Sequence, residues 1–231
     1  MQKILGVLGG MGPEATADFF QRVIANTPAN SDQDHIRIVI DNNPAVPDRT
    51  KSILEQGETP VPVLTSMAKK LENHGASLLT MPCNTAHYYH KDISQQINIP
   101  LLNMISLTTK FISQKFKASS RVGIMATKGT LQTEIYQQEL KKENLIPIIP
   151  DKKQQNDVME AIYKIKKNNK DRETKNLIKH TIKELENKNV RAIIAGCTEL
   201  PLLPLEKFST DSLIVNPAEI LAQKAVEKIK K

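Results

Sequence analysis

The two cysteines are the residues of this chain whose type and setting point most directly to chemistry. Cys83 lies in the run Met-Pro-Cys-Asn-Thr-Ala-His at residues 81–87, and Cys197 lies in Ala-Gly-Cys-Thr-Glu at residues 195–199. Each follows an apolar run typical of a β-strand and precedes small hydroxyl or amide residues that suit a turn. At the carboxyl ends of parallel strands, two thiols facing one cleft could remove a proton from one face of a carbon and deliver one to the other.

Other uses of the two thiols have weaker support. A metal site is disfavoured because the chain has no C-x-x-C and no clustered histidines, and the missing C-x-x-C also argues against disulfide exchange. A Cys–His nucleophile remains open, since His87 follows Cys83 by four residues. On a helix His87 would lie one turn away from the site, and we expect it to be a partly exposed residue at the helix start.

Either cysteine alone could be a buried apolar side chain at a strand end. The matched contexts of the two favour a function instead. Backbone N–H groups at a helix start are expected to lower the pKa of each thiol, so that a thiol and a thiolate could act as acid and base near neutral pH.

Composition narrows the class of protein. The chain has 231 residues, 39% of them hydrophobic, no Trp and a net charge of +7. Its lysines alternate with Glu and Asn on predicted helices and are not interleaved with aromatic residues, so we expect a solvated surface and no nucleic-acid partner. The positive field of these lysines could still attract a dianionic substrate. No apolar run is long enough for a membrane span. The N-terminus predicts a first strand and loop, not a signal peptide, and hence a cytoplasmic protein with free thiols.

The elements that would position the thiols form a repeated series of strands and helices. The glycine loop at residues 9–13 lacks the spacing of a nucleotide-binding loop. Its glycines could equally serve to let the backbone approach a small carboxylate closely. In the first half, strands are predicted at 4–8, 35–40, 76–80 and 100–104, and helices at 14–24, 52–56, 60–73 and 85–96. In the second half, helices are predicted at 107–116, 133–143, 154–167 and 173–187, and strands at 121–126, 146–149, 190–195 and 213–215. This pattern predicts an α/β fold with an N-terminal domain at 1–105, onto which the helix 217–231 packs back, and a C-terminal domain at 106–216.

Four motifs together resemble the aspartate/glutamate racemase superfamily over essentially the whole chain. They are Gly-Gly-Met-Gly-Pro at 9–13, Pro-Asp-Arg-Thr at 47–50 and the two cysteine motifs. The resemblance implies two similar α/β domains, each a parallel sheet flanked by helices, related by pseudo-two-fold symmetry with the active site between them. It also implies no pyridoxal phosphate, no metal, a frequent homodimer, and Cys83 and Cys197 as the catalytic acid/base pair.

The same resemblance assigns substrate-binding roles to seven residues. Arg49 suits the side-chain carboxylate because a guanidinium can bind a carboxylate through two hydrogen bonds, whereas the assignment of Lys164 rests on the resemblance alone. The α-amino and α-carboxylate groups are assigned to Asn84, Thr85, Thr198 and Glu199, the cleft lining to Met11, and the side-chain carboxylate to Arg49 and Lys164.

The predicted activity is the interconversion of L- and D-aspartate by a two-base α-proton transfer. Glutamate or broader amino-acid racemisation is the nearest alternative, followed by maleate isomerisation and malonate-type decarboxylation, although the decarboxylases need only one cysteine. A non-catalytic amino-acid-binding module would keep Arg49, Asn84 and Thr198 but need neither thiol.

Overall fold

The structure is a computed structural model that describes residues 3–231; Met1 and Gln2, which the domain and N-terminus predictions include, lie outside the described residues. The chain divides into two compact units. The first comprises the described residues up to Met104 together with Ala218–Lys231, and the second is Ile105–Pro217. Each unit contains a parallel sheet flanked by helices, which confirms the predicted α/β class.

The first unit is built on a three-stranded parallel sheet of order β2-β1-β3. Strand β1 is buried along its whole length, as expected for a central parallel strand that is covered on both faces. The elements in chain order are β1 (Ile4–Gly9), α1 (Pro13–Asn26), β2 (Arg37–Asn42), α2 (Arg49–Leu54), α3 (Val61–Asn73), β3 (Leu78–Thr80) and α4 (His90–Ser94).

The second unit is built on a four-stranded parallel sheet of order β5-β4-β6-β7. Asp151 caps its long helix α8 through a reciprocal bond with Gln154, and Asp171 caps α9, so local sequence fixes where both helices begin. Its elements are α5 (Met104–Lys115), β4 (Arg121–Ala126), α6 (Lys128–Gln132), α7 (Ile135–Lys142), β5 (Ile146–Ile148), α8 (Lys152–Lys166), α9 (Arg172–Glu186), β6 (Ala192–Gly196) and β7 (Leu213–Val215).

The final helix, α10 (Pro217–Lys230), joins the first unit from Ala218 onward. Arg22 of α1 links it through Nη1 to Glu219 Oε2 at 2.8 Å and also binds Asp18 through Nε at 2.7 Å. Asn26 Nδ2 donates to the second oxygen of Glu219 at 2.7 Å. Helix α10 is therefore held on α1 by a small polar network.

Each unit has its own apolar core, and each core includes one cysteine. The first core packs Leu8, Leu64, Met67 and Leu79 together with Cys83. The second core contains Cys197 with residues of α8, α9 and β6, among them Val158, Ile162, Ile178 and Ile193. The two cysteines thus lie where the apolar interior of each unit meets the carboxyl end of a parallel strand, β3 in the first unit and β6 in the second.

Most predicted elements differ from the structure only at their ends, as with the helix predicted at 52–56 and found at Arg49–Leu54, but three differ more. The strand predicted at 100–104 is wrong: only Leu101 forms a bridge, to Leu79, and the next helix begins at Met104. The helix predicted at 85–96 is a 3-10 turn at Thr85–Tyr89 followed by α4. The helix predicted at 133–143 begins at Ile135, because Glu134 adopts a left-handed φ of 54° that separates α6 from α7. Within residues 3–231, no helix is both long and apolar enough to cross a membrane.

Candidate active site

Both cysteines lie just beyond the carboxyl ends of parallel strands. In the first unit β3 pairs with β1, Val7 opposite Thr80, so the segments that carry Met11 and Cys83 leave the same edge of the sheet. In the second unit β6 pairs with β4, Ala126 opposite Gly196, so Cys197 directly follows β6. This is the edge at which open α/β sheets bind ligands.

The backbone around Cys83 holds its side chain at the core boundary. Cys83 is 5% exposed, and its N–H donates to the Met81 carbonyl at 2.8 Å. Asn84 and Thr85 continue the chain into the 3-10 turn, and both are buried. The short polar side chains that the sequence analysis assigned to the substrate thus follow Cys83 directly in the chain.

His87 is a buried structural contact of Cys83, so the prediction of a partly exposed residue is wrong. Its side chain is 5% exposed, with Nδ1 2.8 Å from the Cys83 carbonyl oxygen and Nε2 3.0 Å from the Met104 nitrogen. Because the Met104 N–H can only donate, Nε2 accepts and the proton lies on Nδ1. Burial lowers the pKa of His87 to about 4, against the opposing effect of the bond to Cys83. His87 is therefore a neutral cross-link between the Cys83 turn and Met104, the last residue of this part of the first unit.

Cys197 is hydrogen-bonded to a carboxylate. Its side chain is 6% exposed, and Sγ donates to Glu199 Oε2 at 2.9 Å. Thr198 Oγ1 lies 3.5 Å from the same oxygen, and Glu199 is itself buried. Burial and then the charge of Glu199 raise the pKa of the Cys197 thiol well above its usual range, while Lys166 opposes them. The expectation of a lowered thiol pKa is wrong for Cys197, since a backbone donor near the sulfur does not offset burial beside a carboxylate.

Lys166 forms an ion pair with this carboxylate, and the sequence did not single it out. Lys166 Nζ lies 3.8 Å from Glu199 Oε1. Lys164, the predicted residue, instead has its ammonium 2.8 Å from both Glu160 and Glu173, whose hydrogen bonds raise its pKa. Local sequence does not separate the two lysines. Lys166 follows the buried Ile162 by four residues, and Lys164 follows the buried Ala161 by three, so each lies within a turn of a buried position.

Arg49 is the first residue of α2 and is held by its own loop. Its Nη1 donates to the carbonyls of Val46 at 3.2 Å and Pro47 at 3.1 Å. Its Nε is buried and has no hydrogen-bond partner among the described residues. The backbone carbonyls therefore orient a guanidinium that keeps unused donor capacity.

Two further residues of the first unit support this arrangement. The Tyr89 hydroxyl donates to Ser52 Oγ at 2.9 Å and so fastens α2 to the turn that follows Cys83. Met11 is buried in the same core cluster as Cys83 and Val46. The sequence prediction missed Tyr89, because a tyrosine shortly after the Cys83 motif carries no distinguishing local signal.

Thr127 and Thr130 follow β4 at the sheet edge where Cys197 follows β6, and the sequence prediction missed them. Strand β4 ends opposite the end of β6, so Thr127 leaves the sheet next to Cys197. The Thr127 hydroxyl accepts from the Thr130 N–H at 3.1 Å, and both residues are buried. The pattern that could have identified them is the one that identified the two cysteine motifs: an apolar strand followed by small hydroxyl residues.

Within residues 3–231, both cysteines are free, and no group of three or more His, Cys, Asp or Glu side chains is placed to hold a metal ion.

Comparison with known proteins identifies the family. A sequence model of the Asp/Glu/hydantoin racemase family matches residues 8–225. The chain is 30% identical over 227 residues to the broad-specificity amino-acid racemase RacX of Bacillus subtilis, covering 96% of each protein. Its fold matches the Picrophilus torridus aspartate racemase with a TM-score of 0.89 and 33% identity, over 99% of this chain and 95% of that one.

A more distant structural match shares the fold. An aspartate racemase homologue from Pyrococcus horikoshii is 23% identical, with a TM-score of 0.79 and full coverage of both chains. The match of the family along nearly the whole chain and the strong likeness to two racemases agree with the motifs at the two strand ends. This chain therefore belongs to the Asp/Glu/hydantoin racemase family and is an amino-acid racemase.

Proposed function

We propose that this racemase interconverts L- and D-aspartate without a cofactor, with Cys83 and Cys197 exchanging the α-proton on opposite faces of the α-carbon. The observation that carries the proposal is the 2.9 Å hydrogen bond from the Cys197 thiol to Glu199. A second buried free thiol, Cys83, follows β3 in the first unit. A thiol held by a carboxylate has a partner that can receive its proton.

The proton balance of one turnover follows from that arrangement. Cys83 begins as a thiolate and takes the α-proton, and Cys197 begins as a thiol and gives its proton to the opposite face. One proton leaves carbon and one returns, and the negative charge passes from one sulfur to the other. The raised pKa of Cys197 keeps it protonated for this direction. The reverse direction starts from the charge state that this turnover leaves: the Cys197 thiolate takes the α-proton, and the Cys83 thiol gives its proton to the opposite face.

Glu199 is thus assigned to the thiol rather than to the substrate α-amino group. Lys166, at 3.8 Å, offsets the charge that Glu199 and a Cys197 thiolate share. An α-proton is much less acidic than a thiol, so donors must stabilise the enolate-like carboxylate as charge develops. We keep Asn84, Thr85 and Thr198 in that substrate-binding role, and Met11 as an apolar wall of the site.

The side-chain carboxylate is assigned to Arg49. Its guanidinium is oriented by two backbone carbonyls and its Nε has no partner, which suits an incoming carboxylate. The second cation for this carboxylate remains Lys164, as the resemblance implies, and its ammonium also lies 2.8 Å from Glu160 and Glu173. The likeness to the Picrophilus torridus aspartate racemase supports this substrate.

A second candidate is racemisation of a wider range of amino acids. The likeness to RacX, named as broad in specificity, favours it. The two candidates differ in their need for Arg49. An aspartate enzyme should lose most of its turnover when the substrate lacks a side-chain carboxylate, whereas a broad enzyme should act on alanine as well.

We further propose that the enzyme is cytoplasmic and acts as a homodimer.

The first experiment incubates the enzyme separately with L-aspartate, L-glutamate and L-alanine and follows D-isomers by chiral chromatography. We expect racemisation of aspartate and little or none of alanine. Comparable rates on aspartate and alanine would replace the aspartate proposal by the broad one. Arg49→Lys serves as the matched variant, because it keeps the charge but loses the paired donors.

The second experiment tests the thiol pair in heavy water. Cys83→Ser and Cys197→Ser should each abolish racemisation, because every turnover needs one acid and one base. Each variant should still wash deuterium into one enantiomer of aspartate, and the two variants should label opposite enantiomers. The double variant should label neither. Exchange of the same enantiomer by both single variants, or near-normal racemisation by either, would show that the thiols are not an opposed pair.

A further inference from the structure

Strand β2 leaves an unusually open edge on the first unit. It is six residues long, lies at the outside of the sheet and pairs only with β1 among residues 3–231. The other outer strands are three residues long, and their edges are limited: β3 is bridged by Leu101, and β5 contains Pro147, which has no N–H to donate. Proteins rarely leave a long outer strand without such protection.

An apolar surface adjoins this open edge. Phe20 and Ile24, one turn apart on α1, are 39% and 41% exposed. A groove of about 300 Å³ lies between α1 and the start of β2 and is lined by both residues with Ile36 and Ile38. His35 lies at its polar end, where its Nδ1 is buried without a hydrogen-bond partner among the described residues. Contiguous apolar surface of this kind marks a contact with another molecule.

The sequence of β2 is complementary to itself in the antiparallel direction. If two β2 strands meet with Val39 opposite Val39, Arg37 of one copy faces Asp41 of the other, and Ile38 faces Ile40. Arg37 is exposed, and the other four residues are half-buried, so all five remain available for contact. Opposite charges and β-branched residues facing each other across an antiparallel pair are stabilising.

We propose that the β2 surface, defined as β2 with Phe20 and Ile24, docks a second copy of this chain. The two β2 strands pair antiparallel around Val39 and join two three-stranded sheets into one of six strands. The two α1 helices then pack against each other through Phe20 and Ile24, because they lie on the same face of the joined sheet. This surface rests on the homodimer proposed above and does not depend on the cysteine chemistry.

The principal test reverses the two charges. Arg37→Asp and Asp41→Arg each create like charges at two symmetry-related places, and each should raise the dimer dissociation constant by about tenfold or more. The double reversal restores opposite charges and should recover most of the affinity. Arg121→Asp, at the exposed start of β4, is the matched control and should have no effect. Sedimentation velocity over a concentration series gives the constants, with circular dichroism to verify folding.

A covalent test does not depend on charge. Val39→Cys places two thiols opposite each other at the two-fold axis, within the Cα separation that a disulfide allows. Mild oxidation should produce a covalent dimer on a non-reducing gel, whereas Ile146→Cys on the β5 edge should not. Ile24→Glu should weaken the dimer through the helix contact.

The outcomes separate the surface from the chemistry. A wild-type monomer at all concentrations, a double reversal no better than the single ones, or equal cross-linking at residues 39 and 146 would overturn the β2 surface. Racemisation measured on the same samples reports on the thiols alone. An inactive protein that still dimerises would refute the proposed function and leave the surface standing.

Discussion

Acid should destabilise this protein through His87 in particular. The folded state holds His87 neutral, since burial lowers its pKa to about 4 from an ordinary value of 6.5. The unfolded chain takes up a proton near that ordinary value. The stabilising contribution of the neutral imidazole is therefore complete above about pH 6.5 and is lost as pH falls toward 4.

The size of the effect follows from the two pKa values. Between pH 7 and pH 5 the unfolded imidazole becomes almost fully protonated while the folded one stays neutral, which costs about 2 kcal/mol of unfolding free energy. Protonation of Nε2 would also remove the acceptor of the Met104 N–H. Acid thus weakens the cross-link that holds the Cys83 carbonyl.

The assay is urea unfolding at pH 7, 6 and 5, followed by circular dichroism. Wild type should lose stability over this range, and His87→Gln should lose about 2 kcal/mol less because its amide does not titrate. His180→Gln, at an exposed position of α9, should keep the wild-type dependence. A His87→Gln variant with the same pH dependence as wild type would refute the assignment of a buried neutral imidazole.

Three further predictions follow from the contacts. Lys166→Met should raise the pKa of the Cys197 thiol, whereas Lys164→Met should leave it unchanged. The pKa is measured from the pH dependence of alkylation by iodoacetamide in a Cys83→Ser background. An equal shift in both variants would contradict the placement of Lys166 beside Glu199. Tyr89→Phe removes the 2.9 Å hydrogen bond to Ser52 that holds α2, so KM for aspartate should rise by several-fold more than kcat falls. Adding Ser52→Ala should change these constants little further. Fully additive losses would show that the two side chains act separately. Glu219→Gln weakens the contact of α10 with Arg22 and should lower the unfolding free energy by about 1 kcal/mol or less. Glu227→Gln, whose carboxylate pairs with exposed lysines, should lower it less. Equal losses in urea unfolding would show that the α1–α10 network has no special role.

The sequence determined the class of fold and the position of the two thiols. Strand periodicity, turn residues and helix caps act over a few neighbouring residues, so β1, β4 and β6 and the capped helices α8 and α9 follow from local sequence. The same reasoning placed Cys83 and Cys197 at strand ends, because a strand that stops before small polar residues looks alike in either unit. The strand predicted at 100–104 failed for a local reason as well, since a helix starting at Met104 leaves room for one bridge only.

The tertiary structure decided what each polar side chain of the site does. Lys164 and Lys166 differ by two residues in sequence, yet packing of α8 directs one toward Glu160 and Glu173 and the other toward Glu199. The pKa of the Cys197 thiol is raised first by burial in the packed core; Glu199 is a neighbour two residues along the chain, whereas Lys166 reaches that carboxylate from α8. Such contacts depend on the relative placement of whole elements, which no short run of residues encodes.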